Sequence, residues 1–314
     1  MDENPVPTKL IAIAGGTGTI GQSIVSALLQ HPDYKPVILS RAKPGHPEGT
    51  KTFTKPSLLD TERGVETRFV EYTSLPFLTS ALQDIHALIS TLLILGPEGV
   101  PYQLNLLEAA ISAGVKRFAP SEFALSQSAH EIVEIDAGKV IVWNRVQQAV
   151  KEGKIDAAFL PVGMFMNYLA IGIPDPLERK EALAGFKEGP LMFYLDREPA
   201  VLEVPVMESG RYPDMSMTDI RDVGRFVVAM LEVGVEWGGS EIGISSDTRN
   251  LGEVVDVVKR VVKVKEVFGK EVSKKELQER SDALDEGDVL GRMEVRYTMA
   301  CARGEASFGQ GDDF

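Results

Sequence analysis

In the first half of the chain, short continuous apolar runs alternate with stretches in which apolar residues recur at helical spacing. Lys9–Ala14 is a nearly continuous apolar run, which is typical of a strand buried on both faces. Beyond residue 19, apolar residues recur at helical spacing, which predicts a helix that ends before Pro32. Further short apolar runs predict strands at Pro36–Ser40, Arg68–Glu71, Ala87–Thr91, Lys116–Ala119 and Ala157–Leu160.

Helices are predicted between several of these strands. One covers Tyr102–Ala113 and ends at Gly114, because glycine is the preferred residue just beyond a helix C-terminus. Another covers residues 138–151. Strands that alternate with helices at this spacing are joined by right-handed crossovers, so we expect an α/β fold with a doubly wound parallel sheet, the Rossmann arrangement.

The alternation loosens after Pro161, where prolines punctuate a loop-rich stretch. Helices are predicted to return at Asp219–Val233 and Leu251–Phe268. We expect a Rossmann domain over residues 1–161 and a smaller, loop-rich substrate-binding region over residues 162–303, packed on that domain. Residues 304–314 contain no lysine and are predicted to form a flexible tail.

Charge and composition narrow the classes of partner. The 314 residues include 33 Lys and Arg against 46 Asp and Glu, and the net charge of -13 repels nucleic acid and anionic lipid. The longest apolar run, Ala158–Pro174, is too short and too interrupted to span a membrane. The single cysteine indicates a reducing compartment, and the four histidines have no metal-ligand spacing. We therefore expect a cytoplasmic protein without a metal, a membrane or a nucleic-acid partner.

The strongest motif is the glycine-rich segment from Gly15 to Gly21, which lies between a predicted strand and a predicted helix. Its glycines allow a tight turn, close approach of a pyrophosphate and close packing of helix on strand, while the helix N-terminus offers N–H groups to phosphates. The alternative is a plain strand-to-helix turn. The motif predicts dinucleotide contacts from Gly15, Thr17, Gly18, Thr19, Ile20 and Gly21.

The end of the second strand distinguishes the two nicotinamide cofactors. A protein selective for NAD places Asp or Glu there to bind the ribose hydroxyls, but this strand ends in Ser40-Arg41. The guanidinium of Arg41 suits a 2′-phosphate, and Lys43, Lys51 and Lys55 add positive charge. NADP(H) is therefore the expected cofactor, with a solvated surface arginine as the alternative interpretation of Arg41.

Several motifs occur in an order that points to a family. No tyrosine is followed four positions later by lysine, and no Gly-x-Ser-x-Gly nucleophile motif is present. The motifs that do occur together resemble the NmrA-like, isoflavone-reductase-like group of atypical short-chain dehydrogenases, especially its fungal members. The resemblance covers about residues 9–230. Its motifs are Gly15–Gly21, Arg41, Gln103, Gly114–Phe123 and Gly163–Asn167.

The resemblance implies an acid–base lysine near the nicotinamide. The local pattern Ala137-Gly138-Lys139, followed by Trp143, resembles the fungal version and nominates Lys139. Counting without gaps against the plant enzymes leads instead to Trp143, which cannot transfer a proton. The two positions differ by one helical turn and share a helix face. A lysine on the helix surface is the alternative interpretation of Lys139.

The resemblance also implies where the ligands bind. Thr91 and the segment Pro120–Phe123 would border the nicotinamide at the carboxyl ends of two strands, where an open sheet binds ligands. For the methionines and aromatic residues, core packing is the alternative. The implied cofactor contacts are Thr91, Leu92, Gln103, Pro120, Ser121, Glu122, Phe123, Lys139, Gly163 and Phe165, and the implied substrate contacts are Phe123, Met164, Phe165, Met166 and Tyr168.

These features together predict an NADPH-dependent oxidoreductase of secondary metabolism, acting as a monomer or homodimer. Its expected substrate is an apolar aromatic or polycyclic metabolite that carries an enone, imine or quinone-methide group. Two alternatives use the same dinucleotide site. One is a redox-neutral isomerase or cyclase with bound NADP(H). The other is a non-catalytic sensor of the NmrA type, which binds the dinucleotide and acts through protein partners.

Overall fold

The computed structural model of the protein describes residues 8–54, 64–93, 97–133, 137–186, 191–262, 266–285 and 287–308. These residues divide into two compact units, each assembled from separate stretches of chain. The first unit comprises the described parts of Met1–Glu122, Gly138–Leu160 and Arg221–Ile242, and the second comprises those of Phe123–Ala137, Pro161–Ile220 and Gly243–Phe314.

An eight-stranded sheet forms the centre of the first unit. Its strand order is β12-β7-β6-β5-β1-β2-β4-β3, and each pair of neighbours is parallel except β3, which runs antiparallel to β4. The chain leaves β1 toward β2 and β4 and then returns to β5 on the other side of β1, so the doubly wound parallel fold is confirmed. The strands are β1 (Lys9–Ala14), β2 (Tyr34–Arg41), β3 (Lys51–Thr54), β4 (Val65–Val70), β5 (Ile85–Ser90), β6 (Arg117–Ala119), β7 (Asp156–Phe159) and β12 (Ser240–Glu241).

Helices connect these strands. The helix after β5 ends at Gly114, whose φ of 76° is left-handed, a conformation that glycine adopts without strain. Gly224 allows α6 to cross α1 closely, because a Cβ there would lie 2.2 Å from the carbonyl oxygen of Ser23. The helices are α1 (Thr19–Leu29), α2 (Leu75–Ala81), α3 (Val100–Ala113), α4 (Ala137–Lys151) and α6 (Ile220–Glu232).

Burial of large apolar side chains between the sheet and its helices stabilises the first unit. Trp143 of α4 is buried and packs edge-on against Phe159 of β7, with ring centroids 5.2 Å apart. Phe118 of β6 belongs to the same core cluster. Truncating one such aromatic residue to alanine typically costs about 3–5 kcal/mol.

The last stretch of the first unit is held to the sheet by polar contacts. β12 pairs with β7, and the Arg117 guanidinium donates hydrogen bonds to the carbonyl oxygens of Leu231 at 3.2 Å and Val235 at 2.9 Å. The same guanidinium lies over the ring of Trp237, 5.1 Å from its centroid. Residues 221–242, which follow the expected boundary at residue 161, therefore complete the first unit.

Two small sheets, four α-helices and two 3-10 helices occur in the described part of the second unit. The strands are β8 (Met164–Phe165), β9 (Phe193–Tyr194), β10 (Ala200–Pro205), β11 (Asp214–Thr218), β13 (Asp247–Asn250) and β14 (Val267–Val272), the α-helices are α5 (Pro176–Leu183), α7 (Leu251–Val261), α8 (Lys274–Ala283) and α9 (Val289–Ala302), and the 3-10 helices cover Gln127–Glu131 and Met166–Gly172. In one sheet β10 lies between a parallel β14 and an antiparallel β9, and in the other β11 lies between a parallel β8 and an antiparallel β13.

Two features of the second unit bear on the sequence predictions. The predicted end of the helix over Leu251–Phe268 is wrong. The helix α7 stops at Val261, and Phe268 lies in β14, where it pairs with Val201 of β10. In the segment predicted to be a flexible tail, the buried Ala306 accepts a hydrogen bond from the Ser216 amide at 2.9 Å. Residues 309–314 of that segment lie outside the described residues. Within the described chain, no helix combines the length and apolar character needed to cross a membrane.

Candidate functional site

A tight glycine turn joins β1 to α1. Gly15 has a φ of 81°, and the amide of Gly18 donates to the carbonyl oxygen of Gly15 at 2.9 Å, which closes the turn. Thr19 begins α1, and Gly18 caps the helix without a side-chain hydrogen bond. No acidic residue lies in the first turn, so no carboxylate competes for the positive helix end. The N-terminus of α1 is thus suited to an anion.

Glycine is required in this turn by close contacts. A Cβ on Gly21 would lie 2.4 Å from the carbonyl oxygen of Gly15 and 2.6 Å from the Cα of Gly16. A Cβ on Gly15 would lie 2.9 Å from Oγ1 of Thr91. Side chains would therefore fill the turn, and their absence leaves the backbone open to approach. The turn fits the pyrophosphate of a dinucleotide.

A side chain that sequence analysis missed holds the turn from within the helix. Gln22 is buried, and its Nε2 donates to the carbonyl oxygen of Thr17 at 2.7 Å. The signal that could have found Gln22 is an amide side chain on the otherwise apolar face of α1. Its contact fixes the part of the turn that precedes the helix.

The ends of β1 and β5 are tied together beside the turn. Thr91 donates twice to the carbonyl oxygen of Ala14, from its amide at 2.8 Å and from its hydroxyl at 3.0 Å. Leu92 is half-buried against the core of the first unit. Below this edge, the buried Gln103 of α3 donates from Nε2 to the hydroxyl of Ser90 at 2.7 Å, and its Oε1 has no hydrogen-bond partner among the described residues. Thr91 and Gln103 are thus placed around the carboxyl end of β5.

The end of β2 carries the positive charges expected there. Arg41 is the last residue of the strand and is exposed. Lys43 is also exposed, and its ammonium lies 5.6 Å from the ring centroid of Phe69. Lys51 begins β3 opposite Arg68, whereas Lys55 lies outside the described residues. Among the described residues, Arg41 and Lys43 therefore provide the positive charge at the end of β2.

Tyr72 connects the end of β2 to the glycine turn and was not predicted. Its hydroxyl donates to the carbonyl oxygen of Leu39 at 3.0 Å. Burial raises the pKa of Tyr72, while a hydrogen bond with the backbone of Gly15 and the charge of Arg41 act in the opposite direction. The phenol therefore stays neutral. The position of Tyr72 two residues beyond the buried strand β4 was the available signal.

Lys139 and Glu122 form a buried pair of opposite charges. Lys139 is 8% exposed, Glu122 is 1% exposed, and Lys139 Nζ lies 4.0 Å from Glu122 Oε2. Lys139 is therefore not a surface lysine. Trp143, the position reached by counting against the plant enzymes, lies one turn further along α4 and packs in the core.

The segment that carries Glu122 lies directly beyond β6. Pro120 is buried and Ser121 is half-buried. The amide of Glu122 donates to the carbonyl oxygen of Pro120 at 2.9 Å, which turns the chain and directs it away from the strand. All three residues follow the carboxyl end of a parallel strand, at the edge where such sheets bind ligands.

The remaining predicted residues belong to the second unit. Phe165 and Tyr168 both contact the half-buried Phe186, with centroid distances of 4.8 Å and 5.1 Å. Met164 lies in the core of this unit, with Met166 packed beside it, and Phe123 is buried. Gly163 has a φ of 66°, and a Cβ there would lie 2.0 Å from the carbonyl oxygen of Ser216. Contact with β11 accounts for this glycine.

The neighbouring Asn167 has a structural role as well. Its side-chain carbonyl accepts from the amide of Ile220 at 2.9 Å, at the start of α6, and its amide donates to the carbonyl oxygen of Ala182. Asn167 therefore ties Ile220 and the end of α5 together within the second unit. In the part of the chain that the structure describes, no group of three or more His, Cys, Asp or Glu side chains is placed to hold a metal ion.

Comparisons with known proteins match most of the chain. A family model described as the NmrA-like family matches residues 7–285. "Oxidoreductase BOA1" of Botryotinia fuckeliana is 29% identical over 255 residues, which are 80% of this chain and 75% of that protein. A crystal structure of isoflavone reductase has a TM-score of 0.68 at 18% identity, covering 97% of this chain and 91% of the other. The structure of AtPrR2 with NADP+ and (+)pinoresinol has a TM-score of 0.66 at 18% identity, covering 95% and 88%.

Proposed function

The chain belongs to the NmrA-like family, and from this premise we propose that it is an NADPH-dependent oxidoreductase that reduces an apolar aromatic or polycyclic metabolite. One observation carries the proposal. The glycine turn follows the carboxyl end of β1, and Glu122, which lies 4.0 Å from Lys139, follows the carboxyl end of β6 in the same sheet. A dinucleotide site and a proton-transfer group at one sheet edge are what hydride transfer requires.

Different residues at this edge bind different parts of NADPH. The turn from Gly15 to Gly21 and the N-terminus of α1 hold the pyrophosphate. Arg41 holds the 2′-phosphate, because its planar fork can donate two hydrogen bonds to phosphate oxygens. Thr91 and the segment Pro120–Glu122 border the nicotinamide. When bound, NADPH supplies a hydride to the substrate.

Lys139 completes the reduction by proton transfer. As an ammonium it donates a proton to the oxygen or nitrogen on which negative charge develops, and it stabilises that charge before the transfer. Its burial excludes the water that would otherwise weaken this interaction. An enone, an imine and a quinone methide each develop such a charge after hydride addition.

The proposed substrate class rests on the relatives and on the second unit. The AtPrR2 complex contains pinoresinol, an aromatic molecule, and BOA1 is a fungal oxidoreductase. The second unit of this chain has a cluster of aromatic side chains formed by Phe165, Tyr168 and Phe186. Substrates of this class belong to secondary metabolism, and we place the protein there.

Turnover assays with a matched pair of lysine variants test the proposal. NADPH oxidation is followed with a panel of aromatic enones, imines and quinone methides for the wild type, Lys139→Met and Lys151→Met. Lys151 is an exposed lysine in the last turn of the same helix. We expect Lys139→Met to lower kcat by about 100-fold or more while NADPH affinity stays within about threefold. Lys151→Met should match the wild type.

Three results would contradict the proposal in different ways. Full activity of Lys139→Met would show that another group transfers the proton. NADPH binding without oxidation by any member of the panel would instead favour the sensor. Conversion of a substrate without net NADPH consumption would favour the redox-neutral isomerase or cyclase.

A further inference from the structure

We propose that Glu122 is a positioning residue for Lys139: its buried carboxylate balances the charge of the lysine ammonium and fixes its place at the sheet edge. The inference rests on the proposed function, in which Lys139 donates a proton, and adds the group that keeps that proton in place.

The charge balance of the pair is the first argument. A buried ammonium or carboxylate alone loses its hydration at a large cost, which an opposite charge nearby offsets. Glu122 Oε2 lies 4.0 Å from Lys139 Nζ, and both side chains are almost fully buried. This distance exceeds that of a hydrogen bond, so the two groups interact through charge and not through a shared proton. An opposite charge at this range favours the charged form of lysine.

The second argument is the rigidity of both attachments. Glu122 is anchored just beyond β6 by Pro120, whose ring restricts the backbone and whose carbonyl accepts the Glu122 amide at 2.9 Å. Lys139 lies in the first turn of α4, and Trp143 packs that helix against Phe159. The two charges are therefore held at their separation by elements that are themselves fixed in the core. This is preorganisation, since no rearrangement is needed when charge develops on the substrate.

The proton balance follows from the arrangement. During reduction the substrate gains a hydride at carbon, and an N–H bond of Lys139 breaks as an O–H or N–H bond forms on the substrate. Lys139 becomes a neutral amine beside the Glu122 carboxylate. That carboxylate favours recovery of a proton from water, which returns the pair to its starting charges.

Chemical labelling of Lys139 tests the inference without any substrate. The full chain is exposed briefly to acetic anhydride over a range of pH, and acetylation of the Lys139 peptide is measured by mass spectrometry. Only the neutral amine reacts. Removal of the carboxylate makes the neutral amine less unfavourable, so the Lys139 peptide of Glu122→Gln should be acetylated several-fold faster than that of the wild type at the same pH.

Two further variants make the labelling result decisive. Glu152→Gln removes an exposed carboxylate of the same unit that pairs with Lys154 at 2.6 Å, and it should leave the Lys139 profile unchanged. Glu122→Asp keeps the charge but withdraws it by one methylene, so it should move the profile less than Glu122→Gln and in the same direction. If Glu122→Gln fails to fold, Glu122→Asp carries the comparison. Coincident Lys139 profiles in the wild type and the folded Glu122 variant would overturn the inference.

Activity separates this inference from the proposed function. In Glu122→Gln we expect kcat to fall about tenfold, with KM and NADPH affinity little changed. If the wild type turns over no substrate, the proposed function fails, yet the labelling profile still decides the role of Glu122. If the wild type is active and labelling shows no shift, the inference about Glu122 fails alone.

Discussion

The variant Gly21→Ala tests the glycine turn directly. The added Cβ would lie 2.4 Å from the carbonyl oxygen of Gly15 and 2.6 Å from the Cα of Gly16, whereas ordinary contacts begin near 3.4 Å. The turn and α1 must therefore separate by about 1 Å. Overpacking of this kind costs about 1–3 kcal/mol, and the better helix propensity of alanine returns about 1 kcal/mol. Net destabilisation should be small, about 0–2 kcal/mol.

Cofactor affinity should suffer more than stability in Gly21→Ala. A shift of about 1 Å removes the N–H groups at the start of α1 from hydrogen-bonding distance of the phosphates. One lost hydrogen bond to a charged group costs about 1.5–3 kcal/mol of binding free energy, which raises the Kd for NADPH by about 10- to 100-fold. Fluorescence titration with NADPH measures the Kd, and thermal unfolding measures the stability.

Gly234→Ala is the matched control for this experiment. Gly234 follows α6 in the same unit, and a Cβ there would meet no atom within 4 Å. Its NADPH affinity and stability should stay near those of the wild type. The reasoning is refuted if Gly21→Ala binds NADPH within twofold of the wild type, or if both variants lose affinity equally.

Two further predictions concern charge. Arg41→Ala should weaken NADPH binding by about 10- to 100-fold and leave NADH binding unchanged, because the guanidinium is proposed to bind the 2′-phosphate that NADH lacks; equal losses for the two cofactors by titration would contradict this. Burial raises the pKa of Glu294 from its ordinary 4.5 to about 7, so the folded protein holds a proton that the unfolded chain releases between these values, and stability should fall as pH rises through this window. Urea unfolding at pH 5 and pH 8 measures this fall in the free energy of unfolding, which should be smaller in Glu294→Gln than in the wild type. The glutamine still offers Tyr194 a hydrogen-bond acceptor. If the two proteins show the same pH dependence, Glu294 is not its source.

The sequence was informative where local patterns coincide with buried structure. β1, the glycine turn and α1 could be predicted because a run buried on both faces, an obligatory turn and an apolar helix face follow one another within about 20 residues. The end of α3 was equally clear, since Gly114 adopts the left-handed conformation. In each case the physical cause lies in a short stretch of chain.

Other features depend on partners that are distant in the sequence. β14 continues the apolar spacing of α7, yet it becomes a strand because it pairs with β10, more than 60 residues earlier. Lys139 and Trp143 share a helix face, and the burial of that face, where Trp143 packs against Phe159, follows from tertiary contacts. Tyr72 gives no motif at all, and its contact with Leu39 requires the folded sheet. Such tertiary effects override local propensity.

The interrupted course of the first unit has a consequence during protein synthesis. Its last segment, Arg221–Ile242, includes β12, which adds to the sheet edge at β7, and the carbonyl groups that Arg117 binds. A nascent chain that has emerged only as far as β7 therefore exposes an unpaired strand edge and a guanidinium without these acceptors. The ribosome must deliver about 80 more residues, most of them belonging to the other unit, before that edge is closed. The first unit therefore cannot complete this edge of its sheet until Ser240 and Glu241 have emerged.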